Sequence, residues 1–214
     1  MKGEAMQART ATFQEPGFAR WLFTSTAAAW IWLVVRVYLG YVWLHAGWGK
    51  LTGSEGGIWS WSTSIGSQSW FKDNGAALKG FTQFVTSPAM TKGPNAANNF
   101  GWYRDFLHWV GTNAPWLAKV VTIGEILIGL GLILGAFTAI AAFFGALLNL
   151  TFGMSGIAGV NPLFFALAVL LMLAWRNAGW YGLDRWLLPA LGTPWQHGEL
   201  TRHDDRAVSA EAAG

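Results

Sequence analysis

Arg36 and Glu125 are the two residues whose positions most need explaining. Each stands inside a long apolar run, where an ionised side chain costs at least ~2.5–3.5 kcal/mol on insertion scales and so turns towards a partner in the protein interior. At 1.5 Å rise per residue, Arg36 lies roughly 12 Å in from one end of its run and Glu125 roughly 14 Å in from the opposite side. Across a hydrocarbon core of about 30 Å these depths nearly coincide, which predicts an Arg36–Glu125 ion pair. Asn149 comes to nearly the same level on a third run, so three polar groups are expected to converge. Such a constellation has two uses. It can be interhelical glue. It can also hold a carboxylate whose ionisation is favoured by the arginine and opposed by desolvation, and which therefore takes and releases protons. The residues by themselves leave both open.

A helical wheel extends the site. From Arg36, steps of four, three, four and three residues reach Gly40, Trp43, Gly47 and Lys50, all within about 40° of one face. The stripe predicts a slot lined by Trp43, floored by Arg36 and wide enough for a flat ring; close packing of helices explains the glycines equally well. Lys50 ends the stripe at the membrane surface, where it could attract an anion. His45 lies on about the opposite face and is either an interfacial residue or a ligand to the same ring. The four histidines (His45, His108, His197, His203) include no pair at mid-membrane, which argues against haem. With no cysteine, disulfides, thiolate chemistry and iron–sulfur clusters are excluded, and no metal site is expected. No dinucleotide fingerprint or phosphate loop occurs in a suitable context. The net charge of +3 is small and scattered, which argues against a nucleic-acid partner.

The elements that must position these residues are membrane helices. Charged residues make up 12% of the chain, about half the usual share, and none occurs from Ile126 to Trp175. That run exceeds two bilayer crossings of about 20 residues each. Four spans are predicted, at about Ala28–Trp48, Trp116–Ala136, Thr138–Phe152 and Pro162–Trp175, giving an all-α, integral-membrane four-helix bundle over residues 28–190. Arg20, Arg176 and Arg185 flank the outer ends of the first and last spans, so both termini are expected to be cytoplasmic in a multi-pass protein of the cell membrane. Residues 1–27 and 191–214 read as flexible tails. The insertion 49–115 then faces outward. It is too rich in Trp and Phe for disorder, and it carries two amphipathic stretches, with Leu78, Phe81 and Val85 at helical spacing in one and Trp102, Phe106 and Trp109 likewise in the other. Both are expected to lie on the outer membrane face.

In order and spacing, Arg36-x3-Gly40-x6-Gly47-x2-Lys50-Leu51, then Glu125-x3-Gly129 and a Gly-Ala-Phe-Thr turn, resemble the DoxX membrane-protein family. The Trp-rich insertion, "GVNP" before the fourth span and "GWYGLDRWLLP" after it look most like the DoxD branch. The resemblance implies the large subunit of a thiosulfate:quinone oxidoreductase, joining two thiosulfates into tetrathionate and passing electrons to the quinone pool beside a smaller DoxA-like subunit. No DoxA-like segment is visible in this chain. In that reading Arg36, Glu125 and Asn149 are the catalytic group, Gly40, Trp43, His45 and Gly47 hold a non-covalent quinone, and Lys50 meets the substrate, with Lys72, Lys79, Lys92, Arg104 and Lys119 as further attractors. The alternative is a non-catalytic accessory or scaffold subunit of a respiratory-chain complex. A solute transporter is weaker, because no inverted repeat is evident.

Overall fold

The computed structural model describes residues 16–53, 69–92, 100–156 and 159–192. Trp59 and Trp61, most of the Gly-rich insertion start and the two outermost tails (1–15 and 193–214) lie outside the described residues. Within them the chain is helical and has no strand. Helix α1 (Gly17–Thr24) and a 3-10 turn (Thr26–Ala28) lead into α2 (Ala29–Thr52). The segment that follows forms α3 (Ala76–Val85), α4 (Pro88–Thr91) and α5 (Gly101–Thr112). Then come α6 (Ala114–Leu134), α7 (Thr138–Met154), α8 (Asn161–Leu173) and α9 (Asp184–Ala190).

Two of these, the 27-residue segment Thr26–Thr52 that contains α2 and the 21-residue α6, are long and apolar enough to cross a membrane. At 1.5 Å per residue α6 alone spans about 32 Å. The apolar α7 and α8 are shorter, at 17 and 13 residues. Helix α2 packs on α6, α6 on α7, α7 on α8, and α8 returns to α2. Between them lies a core of Trp32, Leu39, Trp43, Leu132, Phe164 and Leu171. Their outward faces carry exposed Val34, Leu127, Ile140, Phe143, Leu147 and Leu163. An apolar belt of this extent does not face water in soluble monomers. Facing hydrocarbon is what such a belt suits.

Helices α2 and α6 touch almost backbone to backbone. A Cβ on Gly40 would fall 2.9 Å from the Gly129 carbonyl oxygen, and one on Gly129 would fall 2.5 Å from the Leu44 amide nitrogen. Gly47 meets Ile126 and Glu125 in the same way. The glycines of the predicted slot are therefore filled by the neighbouring helix, and no ring-sized gap exists between them.

One expectation changes on the structure. The tail to residue 27 is ordered from residue 16, because α1 is held down: Trp32 Nε1 donates to Leu22 O at 2.8 Å, and Asn177 Nδ2 donates to Leu22 O and Ser25 O at 3.0 and 2.7 Å. Helix α5 carries a second apolar stripe beside the expected one. Its buried residues are Tyr103 and Leu107, while Trp102, Phe106 and Trp109 are exposed. Both stripes are apolar at helical spacing, and spacing does not say which one meets protein. For α3 the expected stripe of Leu78, Phe81 and Val85 is the buried one. It forms a second core with Trp70, Tyr103, Leu107, Ala114 and Ala118, seated on the start of α6.

Candidate functional site

Arg36 and Glu125 do not pair. The two helices are staggered rather than flush: Gly40 lies against Gly129 and Ile133, and Gly47 against Glu125 and Ile126. Arg36 therefore reaches the last turn of α6, roughly 10–15 Å along the axis from Glu125. Depths counted from assumed bilayer edges cannot reveal such a stagger; interlocked glycines set it.

At its end of the helix pair, Arg36 closes α6. Its Nη1 donates to Leu132 O at 2.7 Å and Ile133 O at 2.8 Å, and its Nη2 donates to Tyr181 O at 2.8 Å. The last carbonyls of a helix have no intrahelical partner and carry the negative end of its dipole, so a buried cation there is well placed. The neighbouring groups are also satisfied, with Leu134 O accepting from Leu183 N and Gly135 O from Asp184 N. Gly135 takes a left-handed φ of 63°, and a Cβ there would fall 2.7 Å from Arg36 Nη1, so only glycine fits. Asp184, buried and within electrostatic reach of Arg36, accepts from Phe137 N at 2.6 Å and Thr138 N at 2.9 Å. It caps α7 from 46 residues away and steadies Phe137, a non-glycine residue at φ 49°. Sequence reasoning misses Asp184; its only signal is the "GLD" that follows Gly179, whose missing side chain makes room for the carboxylate.

The acid at the other end has a different partner. Lys50 Nζ donates to both oxygens of Glu125, at 2.9 and 2.7 Å. Glu125 is 1% exposed and Lys50 21%, so the carboxylate meets the outside only through the lysine. The ammonium lies 5.2 Å from the ring centroid of Trp70 and 5.9 Å from that of Phe152, two aromatic faces within the range that stabilises a cation. Trp70 is brought there by Ser69, whose hydroxyl donates to Lys50 O and Leu51 O where α2 ends. Phe152 is held from above by Phe81, edge-on at 6.0 Å. Between α6 and α7, Gly131 faces Ala141 and Ile128 faces Gly145, a register that continues to bring Asn149 level with Glu125. Asn149 is 2% exposed and its Nδ2 has no partner. It lies one turn from Phe152, on the same side of α7.

The sequence-predicted residues therefore divide. Lys50, Glu125 and Asn149 belong to one region, and Arg36 to another. Trp43 is buried against Gly145, with Gly40 and Gly47 spent on helix contact. His45 is half-buried and stacks on Tyr41 at 6.1 Å. Ser69, Trp70 and Phe152 escape sequence reasoning as site residues, since nothing in an isolated Ser-Trp pair says that it folds back onto a helix end. A separate cleft of about 660 Å³ opens between α3 and α5, with Lys79, Gln83 and His108 on its walls. Among the described residues, no three His, Asp or Glu side chains are grouped to hold a metal ion.

An all-helical architecture with an apolar belt and two membrane-length helices is that of a helical membrane protein. The DoxX family model matches residues 31–154, from the start of α2 through α7, and the chain belongs to that family. No curated protein and no solved structure matches it.

Proposed function

We propose that this protein is a quinone-interacting membrane subunit of an oxidoreductase, and that Glu125, controlled by Lys50, is its proton-exchanging group. One observation carries the reading: a fully buried carboxylate held by a lysine that reaches the surface, with a buried amide donor that has no partner at about the same level on α7. A quinone brings two-electron, two-proton redox chemistry, and its ring needs a hydrogen-bond donor at a carbonyl oxygen, an acid nearby and flat walls. Asn149 Nδ2, Glu125, Trp70 and Phe152 supply those types of group, whereas the glycine stripe does not fit a ring. Glu125 holds or releases a proton at its carboxyl oxygen. Lys50 stabilises the charged form and links it to the outside.

The same reading takes α2, α6, α7 and α8 as four crossings of the cell membrane, in the manner of the DoxD branch. The Asn177 bonds to Leu22 and Ser25 support both termini lying on one side, and Arg20, Arg176 and Arg185 at that end favour the cytoplasm. The segment from α3 to α5 then faces outward. Thiosulfate is the proposed electron donor, with a DoxA-like chain as the proposed partner. Because Lys50 is neutralised by Glu125, the anion would be attracted instead at the cleft that Lys79 and His108 line.

The test is organic extraction of purified protein for bound quinone, followed by thiosulfate-dependent reduction of a soluble quinone, with and without a DoxA-like partner. Bound quinone and an activity lost in the paired variant Lys50→Met/Glu125→Gln support the reading. Absence of both quinone and activity would overturn it. One observation favours the alternative of a non-catalytic accessory subunit: Lys50 and Glu125 already satisfy each other. In that case the paired variant assembles with respiratory-chain subunits as well as the native chain does.

A further inference from the structure

We infer that α5 is an interfacial anchor, lying in the headgroup region with a ridge of aromatic rings turned into the lipid. This does not rest on the quinone reading. The helix has three faces rather than two. At 100° per residue, Tyr103, Leu107 and Val110 fall within an arc of about 60° and pack on the second core. Trp102, Phe106 and Trp109 occupy the adjacent arc and are 64%, 41% and 50% exposed. Asp105, His108 and Thr112 fill a third, also exposed. A helix meeting only water and protein has no use for the aromatic face. A helix set between protein, lipid and water has use for all three, and aromatic residues are favoured at headgroup level.

Continuity decides the occupant. Phe106 stacks on Trp109 at 6.2 Å, and Trp109 meets Trp116 edge-on at 6.3 Å. Trp116 is in the first turn of α6, half exposed, and it heads a stripe of exposed residues running the length of that helix: Val120, Ile123, Leu127, Leu130 and Leu134. These recur at steps of four and three and form the outward face of a membrane-length helix. The ridge is thus the upper edge of the surface that suits hydrocarbon. One consequence is a depth for the candidate site. With Trp116 at the headgroups, Glu125 lies nine residues further along α6, about 14 Å inward, and the α3–α5 layer roofs it at the membrane surface.

The chain has no cysteine, so single cysteines can be placed directly. Phe106→Cys, Trp102→Cys and His108→Cys would be spin-labelled in the full chain and reconstituted in phosphatidylcholine bilayers. Collision with oxygen, which concentrates in lipid, is compared with collision with a water-soluble nickel chelate. Oxygen is expected to dominate several-fold at 106 and 102, and nickel at 108. Two results would overturn the inference. Nickel access at 106 and 102 equal to that at 108 would make the ridge water-facing. Exclusion of both reagents at 106 and 102 would mean that a second copy or another protein covers it. The two ridge positions serve as checks on each other if one label disturbs the helix.

Discussion

Both ends of the α2–α6 pair bury charge, but with different kinds of partner. At one end Arg36 and Asp184 are bonded to backbone: three carbonyls for the guanidinium, two amides for the carboxylate. At the other end Lys50 and Glu125 are bonded to each other, side chain to side chain. The difference separates what a buried charge does for folding from what it can do for chemistry. A peptide carbonyl has no second protonation state, so a charge bound to helix ends is locked for as long as the fold lasts. A carboxylate held by a flexible lysine can exchange that partner for a proton or a ligand. The motif residue Arg36 is in this light a builder of the site's frame, and Lys50 the member of the stripe closest to chemistry.

Arg36→Met should have the largest effect. It strands three carbonyls at least partly buried and removes the attraction on Asp184, and breaking one side of a buried ionic network costs about 3–5 kcal/mol. The expected result is loss of a monodisperse detergent-solubilised peak, with Arg36→Lys recovering only part of it, because a lysine lacks the planar fork that spans the carbonyls. Adding Asp184→Asn should not restore the fold, since the carbonyls stay unpaired. A double variant as stable as native would place the locking role elsewhere.

The opposite end should behave in the opposite way. Lys50→Met alone leaves Glu125 buried without its cation and is expected to cost about 3–5 kcal/mol. Lys50→Met/Glu125→Gln removes the ionic pair together and should regain most of that loss, visible as recovery of the thermal midpoint in detergent. A double-mutant cycle with no coupling at this end would erase the distinction between the two.

How far the sequence reached follows the same division. Helices α7, α8 and the second half of α6 were legible because an uncharged run of that length suits almost nothing but a bilayer, α2 was legible from its apolar length, and all four begin and end within a few residues of the predicted limits. The charged groups inside them were legible as buried and partnered. The partners were not, because Arg36 and Glu125 were placed by depth in a bilayer, whereas the stagger is set by Gly40, Gly47 and Gly129 interlocking across α2 and α6. Lys50 shares the Arg36 stripe in any reading of the wheel; only the register could show that the acid belongs to it. Asp184 was out of reach, since a single acid in a turn gives no hint that it caps a helix far away in the chain. The aromatic stripe of α5 was legible from its spacing; that Tyr103 and Leu107 form a second stripe, the one meeting protein, was not, because lipid and protein interiors attract the same residue types.

Asn149 sharpens the comparison at a smaller scale. An unpartnered buried amide costs about 1–3 kcal/mol, so Asn149→Leu should raise the thermal midpoint of ligand-free protein while abolishing stabilisation by added quinone. A drop in stability instead would show that the amide is bonded in the ligand-free state, and the case for an acceptor beside Glu125 would fall.

The smallest effect concerns the roof over the pair. Tyr103, 2% exposed, donates its hydroxyl hydrogen bond to Thr151 O at the end of α7, tying α5 to the helix that carries Asn149 and Phe152. Burial pushes its pKa up to about 12 from an ordinary value of 10.0. The folded state therefore holds the phenolic proton more tightly than the unfolded chain does, and the sign follows. The contribution is complete below about pH 10 and falls as pH rises towards 12. Tyr103→Phe should lower stability by about 1 kcal/mol at neutral pH, the net worth of one hydrogen bond, and should flatten the alkaline decline between pH 10 and 12. Thermal midpoints of both proteins across that range measure it. An unchanged alkaline slope in the variant would mean that α5 is held to α7 by ring packing alone, and the roof would then be as indifferent to protons as the Arg36 end.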